Sequence, residues 1–217
     1  MFASFQGLGE NTLSRIAEVA LSNQLKADKL KVTVKTNPEN LAKGIVESLS
    51  IDSEGLIMSN NQSLQNLIMT FEQISVNPLQ ALVGKIKLTQ PSQGTAFFVL
   101  SRKDLEQHLN TVKPDSVKSI NCYIALDGDL ILKLISSQQE LNFQVRPRLC
   151  QVSHRVLVEE VTKNNIPDLI LKEIEALFNL RHFHLKGLSL KIQSLVVNNG
   201  HFSLKAVTEI THFPQVV

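Results

Sequence analysis

The sequence has no tryptophan, a single tyrosine and only two cysteines, Cys122 and Cys150. Two cysteines cannot build the disulfide framework of a small secreted scaffold. Both sit in alternating apolar runs, so they read as buried free thiols in a reducing compartment. Long apolar runs are missing as well. Nothing approaches the ~18 residues of a spanning helix, and the opening MFASFQGLGEN has neither the basic region nor the apolar stretch of a secretory signal. As written, the chain is expected in the cytoplasm or at a membrane periphery; an export leader removed earlier would place it in the envelope or periplasm. The net charge is only +2, and no Lys/Arg stripe interleaved with aromatics appears, which argues against nucleic acid as a partner.

The marks of catalysis are equally scarce. There is no Gly-rich phosphate loop, no nucleophile elbow and no paired-cysteine motif. In RHFHLK, His182 and His184 would share one strand face, but no acidic or cysteine ligand stands beside them, so they read as ordinary imidazoles and not as a metal site. His154, in VSHRV, reads as a hydrogen-bonded core histidine on a strand. Glu159 and Glu160 are adjacent and would point oppositely on a strand, while Asp127 and Asp129 occupy a turn that favours them for backbone reasons. No cofactor and no metal are called for, and the chain reads as a non-enzyme.

What is present is aliphatic bulk in short alternating stretches. Hydrophobic residues make up 43% of the 217, charged residues 19%, and ten of the eleven aromatics are Phe. A chain of this length hides roughly 70% of its unfolded surface, enough for one domain over 1–217 without staples. NTLSRIAEVALSNQLKADKL spaces Leu13, Ile16, Ala17, Ala20, Leu21 and Leu25 helically, which predicts a helix of about four to five turns capped by Asn11 or Thr12. LKVTVKT alternates: Leu30, Val32 and Val34 face one way, and Lys29, Lys31 and Lys35 lie on the outer face. That outer face reads either as an edge guarded by lysine or as a membrane headgroup contact. After a turn at NPEN, GIVESLSID sends Ile45, Leu49 and Ile51 inward, and SEG makes the next turn.

NPLQALVGK reads as a short helix opened by Asn77 and Pro78. In GTAFFVLSRKDLEQHLNTV a strand runs straight into a helix capped by Ser101 and Asp104. INCYIAL and LILKLI form a hairpin around Asp127, Gly128 and Asp129. LNFQV and LCQVSHRVLV continue the antiparallel run across Pro147. A second amphipathic helix, IPDLILKEIEALFNL, carries Ile170, Ile174 and Leu177 on one stripe. The last hairpin turns at Asn198, Asn199 and Gly200, where both turn residues need positive φ.

The stretch SNQLKADKLKVTVKTNPENLAKGIVESLSIDSEGLIM, with Val32, Val34, Pro38, Gly44, Gly55 and Leu56, resembles the opening of the LmeA-type phospholipid-binding family. KLTQPSQGTAFFVLSRKDLEQHL, with Pro91, Ser101, Asp104 and Leu105, and the closing VVNNGHFSLKAVTEI resemble that family further. The resemblance runs from about residue 8 to residue 211, with 113–165 matching only in strand pattern. It implies an α+β fold similar to the tubular lipid-binding domains, a long curved antiparallel sheet wrapped around amphipathic helices, with an internal pseudo-repeat allowed.

It further implies a phospholipid or fatty acid as partner. The residues expected to line an apolar groove are Leu13, Ile16, Ala20, Leu49, Ile51, Ile170, Ile174 and Leu177, and Lys29, Lys31 and Lys35 are expected at the headgroup side. A dry slot suffices for an acyl tail, because its burial is non-directional. Two other readings remain open: a membrane-surface scaffold with a filled core, and, last, a lipid hydrolase. Oligomeric state is not read from the sequence.

Overall fold

The computed structural model describes residues 10–58, 63–82, 86–137, 139–162, 166–181, 183, 185 and 187–213. Helix α1 (Glu10–Ser22) is followed by β1 (Lys29–Lys35), α2 (Pro38–Ala42), β2 (Ile45–Ile57), β3 (Ser63–Ser75), α3 (Pro78–Leu82) and β4 (Ser92–Ser101). Then come α4 (Arg102–Val112), β5 (Val117–Ile124), β6 (Leu130–Ser136), β7 (Glu140–Cys150), β8 (Arg155–Glu160), α5 (Asp168–Phe178), β9 (Leu188–Asn198) and β10 (His201–Ile210). The fold is α+β. Its strands form two antiparallel sheets, a six-stranded one in the order β1-β2-β3-β4-β10-β9 and a four-stranded one in the order β5-β6-β7-β8.

Three of the four sheet edges are sealed by helices, and each uses the same device. Along β1, the backbone N–H groups of Thr36, Val34 and Val32 donate to Glu10 Oε1 (3.0 Å), Ser14 Oγ (2.9 Å) and Glu18 Oε2 (3.4 Å) of α1. Four helical residues rise about 6 Å and two strand residues about 6.7 Å, so acceptors at i, i+4 and i+8 meet every second edge N–H. Along β5, Cys122 N–H donates to Glu106 of α4 (2.8 Å), and Asn110 both accepts from Ile120 N–H (2.9 Å) and donates to Ile120 C=O (2.6 Å). Along β8, Val158 N–H donates to Glu175 of α5 (3.1 Å), and Asn179 grips Val156 N–H and C=O (both 2.8 Å). The polar stripe of each helix is thus spent on an edge that would otherwise invite aggregation.

The two Glu-x-x-x-Asn helices also touch one another, His108 Nε2 of α4 lying 3.1 Å from Glu173 Oε2 of α5. With α4 fixed to β5 and α5 to β8, the four-stranded sheet closes into a ring through its two helices. The six-stranded sheet curls too. Strands β1 and β10 are four places apart, about 19 Å in a flat sheet, yet Val34 of β1 and Ile210 of β10 line one small cavity.

Several expectations hold. Ser101 caps α4 in a reciprocal box with Asp104. The final hairpin turns at Asn199 (φ 49°) and Gly200 (φ 75°), as two residues of positive φ. Others need correction. The first helix is shorter than expected: it ends at Ser22, and Asn11 and Thr12 lie inside it and so cannot be its N-cap. The NPEN turn is a helical one, α2, with the Asn37 side chain accepting from Asn40 N–H at 2.8 Å.

Strand β2 runs through Gly55 to Ile57, so SEG is no turn. Its ladder with β3 skips the levels of Glu47 and of Gly55, where Gln73 (φ 51°) and Gly55 (φ 61°) carry positive φ. The buried face changes sides at both levels. Val46 is buried and Ile45 is 38% exposed, contrary to the inward Ile45 expected; Leu49 and Ile51 are buried, and so is Leu56 beyond the second switch. A Cβ at Gly55 would meet Asp28 Oδ2 at 2.1 Å, so a substitution there must displace the Asp28 side chain as well as adopt the strained positive φ.

LCQVSHRVLV is likewise not one strand. Residues 151–154 turn between β7 and β8, with His154 in the left-handed region (φ 52°) and its C=O accepting from Ile192 N–H at 3.0 Å. His154 is half-buried in that turn and is not a strand residue of the core, and its buried Nδ1 makes no hydrogen bond. Pro147 stays within β7 because β6 pairs no further than Leu130 with Val145, leaving the proline side of β7 unpaired.

Asp129 is more than a turn former. Its fully buried carboxylate accepts from Arg146 Nε and Nη2 and from Gln144 Nε2 (2.5 Å). The Arg146 guanidinium holds the Asp129 carboxyl below the usual carboxylate range, against the opposing effect of burial. A depressed folded pKa stabilises above the unfolded value of ~3.9, and that stabilisation fades as pH falls through the lower folded value. Asp129→Asn should therefore cost ~2 kcal/mol at neutral pH, discounted because Arg146 is 37% exposed. That corresponds to about 4–8 °C in Tm. In melts followed by circular dichroism, the gap from wild type should close as pH is lowered toward 3; a gap independent of pH would contradict the assignment.

Candidate functional site

Between α1 and the curled six-stranded sheet lies a cavity of about 30 Å³ whose lining is wholly apolar. Leu13 reaches it from α1, Val34 from β1, Val46 and Leu49 from β2, and Ile74 from β3, while Ile210 and Phe213 close it at the end of β10. Leu13 is there because the acceptors Glu10, Ser14 and Glu18 turn α1 so that Leu13, Ala17, Ala20 and Leu21 face the sheet. The alanines let the helix lie close. With no polar atom in the lining the space is suited to hydrocarbon, and at this volume it accepts little more than a methyl-sized probe.

The structure brings Leu13 and Leu49 of the expected groove residues to this cavity. Ala20 and Ile51 are buried nearby in the same layer, and Ile16 is half-buried. Ile170, Ile174 and Leu177 are also buried, but on α5, which packs against β8 and α4; they belong to the closed ring and not to this cavity. Leu41, Val46, Ile74, Ile210 and Phe213 were not foreseen. The repeated spacing in EQHLN and EALFN could have revealed α4 and α5 as equivalent lids, although not which interior holds free space.

Lys29, Lys31 and Lys35 are all exposed on β1, as their alternation required. The register sets Lys29 opposite Glu54, with Nζ 2.6 Å from the carboxylate, and Lys31 opposite Asp52; Lys35 faces Ser48. Two of the three cations thus stand across from carboxylates, which lowers the net charge of this face.

A second hollow, open and about 760 Å³, lies at the opposite end of the six-stranded sheet. Asp28 and Glu54 border it on one side and Lys103, Asp104 and His201 on the other. Burial raises the Asp104 carboxyl against its bond to Ser101, a consequence of its capping position. The Cys122 thiol, buried in β5, is pushed up to about 12, whereas Cys150 is lowered by hydrogen bonding to Ser153. Both thiols are free, but Cys150, expected to be buried, is only half-buried because it lies at the end of β7 beside the 151–154 turn. Among the described residues no group of three His, Cys, Asp or Glu is placed to hold a metal ion, and no helix is long and apolar enough to cross a membrane. His182 and His184 lie outside the described residues.

The profile of the LmeA-like phospholipid-binding family matches residues 5–206 of the 217. The chain belongs to that family. No curated protein and no solved structure matches it. Membership associates this LmeA-like chain with phospholipid as the class of partner, and the matched span takes in both sheets, from α1 to Ala206 in β10.

Proposed function

We propose that the chain, acting as one domain over 1–217, is a non-enzymatic binder of a phospholipid or fatty acid and holds the acyl tail in an apolar interior. The observation that carries this reading is the wholly apolar lining of the cavity between α1 and the six-stranded sheet. Leu13, Ile16, Ala20, Leu49 and Ile51 are the side chains proposed to meet the tail. Ile170, Ile174 and Leu177 would serve a second tail inside the ring closed by α4 and α5. Each buried CH₂ contributes about 0.8 kcal/mol, so no directed polar contact is needed to hold it. The tail enters as α1 moves off the sheet, since the closed cavity is smaller than a chain. Lys29, Lys31 and Lys35 would lie toward the headgroup, and transfer between membranes is the use such a carrier fits.

The absence of tryptophan supplies a test. Phe213→Trp places the molecule's sole indole in the cavity wall. Titration with a phospholipid brominated along its acyl chain should quench that fluorescence saturably, while the unbrominated lipid should not. No quenching in a protein that melts like wild type would place the tail elsewhere or nowhere. The small cavity volume favours a second reading, a membrane-surface scaffold with a filled core, and that reading requires the unquenched outcome.

A further inference from the structure

The hairpin of β7 and β8 outruns β6. Strand β6 pairs with β7 only as far as Val145, so residues 146–150 are paired with β8 on one side, and the tip lies about 17 Å past the last β6 pair, against β9. At that tip Val152 is 93% exposed, and Leu126 in the β5–β6 turn is the only described large apolar side chain more exposed. The tip is held firmly. Cys150 pairs with Arg155 across the hairpin, and His154 C=O accepts from Ile192 N–H of β9.

The charges around it have one sign. From Leu141 to Val158 the chain holds Arg146, Arg148 and Arg155 and no carboxylate. Arg146 is committed to Asp129 and Arg148 to Glu159, but Arg155 and, beside Ile192, Lys191 are exposed and form no ion pair among the described residues. Leu126, by contrast, is followed directly by Asp127 and has no cation beside it in sequence.

We infer that the β7–β8 tip, with Val152, Arg155 and Lys191, is the surface by which the protein docks on an anionic lipid bilayer. A rigidly presented apolar side chain with two unpaired cations on the elements that hold it suits the headgroup boundary, where hydrocarbon contact and attraction to anionic lipid add. An acidic protein surface as the partner would instead leave the protein unsedimented by vesicles. The β1 lysines, two of which face Glu54 and Asp52, are the weaker candidate. The inference rests on the lipid-binding reading for its purpose, though docking is measured separately from tail binding.

The test is co-sedimentation with vesicles of phosphatidylcholine, with and without phosphatidylglycerol. Wild type should bind the anionic vesicles and release them as salt rises. Arg155→Ala with Lys191→Ala should weaken binding about 25-fold, fivefold for each cation, and Val152→Ser about tenfold. Leu126→Ser should change nothing. All of these positions are exposed, so each variant should melt like wild type. Variants that bind like wild type, equal binding to neutral vesicles, or no sedimentation of wild type would each overturn the inference. In any of those cases, quenching of Phe213→Trp by brominated lipid still reports on the lipid-binding reading by itself.

Discussion

Leu49→Asp should leave the protein unfolded, or melting far below wild type and taking up no lipid. Leu49 is 5% exposed and stands in the wall of the apolar cavity, paired across β1 with Val34 and across β3 with Phe71. The substitution removes about 2 kcal/mol of buried aliphatic surface and sets a carboxylate where nothing polar can receive it. The sum exceeds ~4 kcal/mol, a large share of the 5–15 kcal/mol that holds a domain together. Leu49→Met, which conserves volume, should cost less than ~1.5 kcal/mol and keep lipid uptake. Circular dichroism melts of the two variants decide the matter. A stable Leu49→Asp protein with full uptake would mean that β2 presents its other face to the interior.

The second large effect is expected from the pair Asn110→Ala and Asn179→Ala. Each asparagine bonds both the N–H and the C=O of one edge residue, and each also donates to the carbonyl four positions before it, Glu106 at 2.7 Å and Glu175 at 2.7 Å. Truncation leaves two backbone groups of Ile120 or Val156 without their partner, at about 1–3 kcal/mol for each residue pair. The sites lie at opposite edges of the sheet but on helices that touch through His108 and Glu173, so the double variant should cost about 2–6 kcal/mol, with coupling between the two sites through that contact. Urea denaturation should show each single variant shifted and the double shifted further than either. Hydrogen exchange should rise first at the amides of Ile120, Cys122, Val156 and Val158. Unchanged protection at those amides would show that the helices do not seal the edges.

Where local chemistry decides structure, the sequence could be read. The Ser101–Asp104 box, the Asn199–Gly200 turn and the even-numbered alternation of β5 and β6 each depend on a few adjacent residues, and each appears in the fold. The fold class was legible from the same signals together with the family resemblance. What could not be read depends on residues far apart in the chain. Gln73 takes a positive φ that no propensity of glutamine suggests, and with Gly55 it turns the buried face of β2 and β3 over twice; strict alternation therefore set Ile45 inward when Val46 is. The turn between β7 and β8 ends at His154, whose C=O is held by Ile192, 38 positions later.

The polar stripes of α1, α4 and α5 look like solvent faces until a strand edge is set beside them. Asp129 shows the same limit: its turn role was visible, while Arg146, which claims its carboxylate, lies on another strand. For the candidate site, Leu13 and Leu49 were foreseen, but Ile210 and Phe213 come from the far end of the chain and meet them only because the sheet curls.

The most direct test of the central claim is native mass spectrometry of the full chain after gentle purification and incubation with mixed cellular phospholipids. A tail held in the interior predicts a population heavier than the bare polypeptide by the mass of a phospholipid or fatty acid, retained through buffer exchange and reduced in Leu49→Asp protein that remains soluble. A spectrum showing only the bare polypeptide after incubation with lipid would contradict the account.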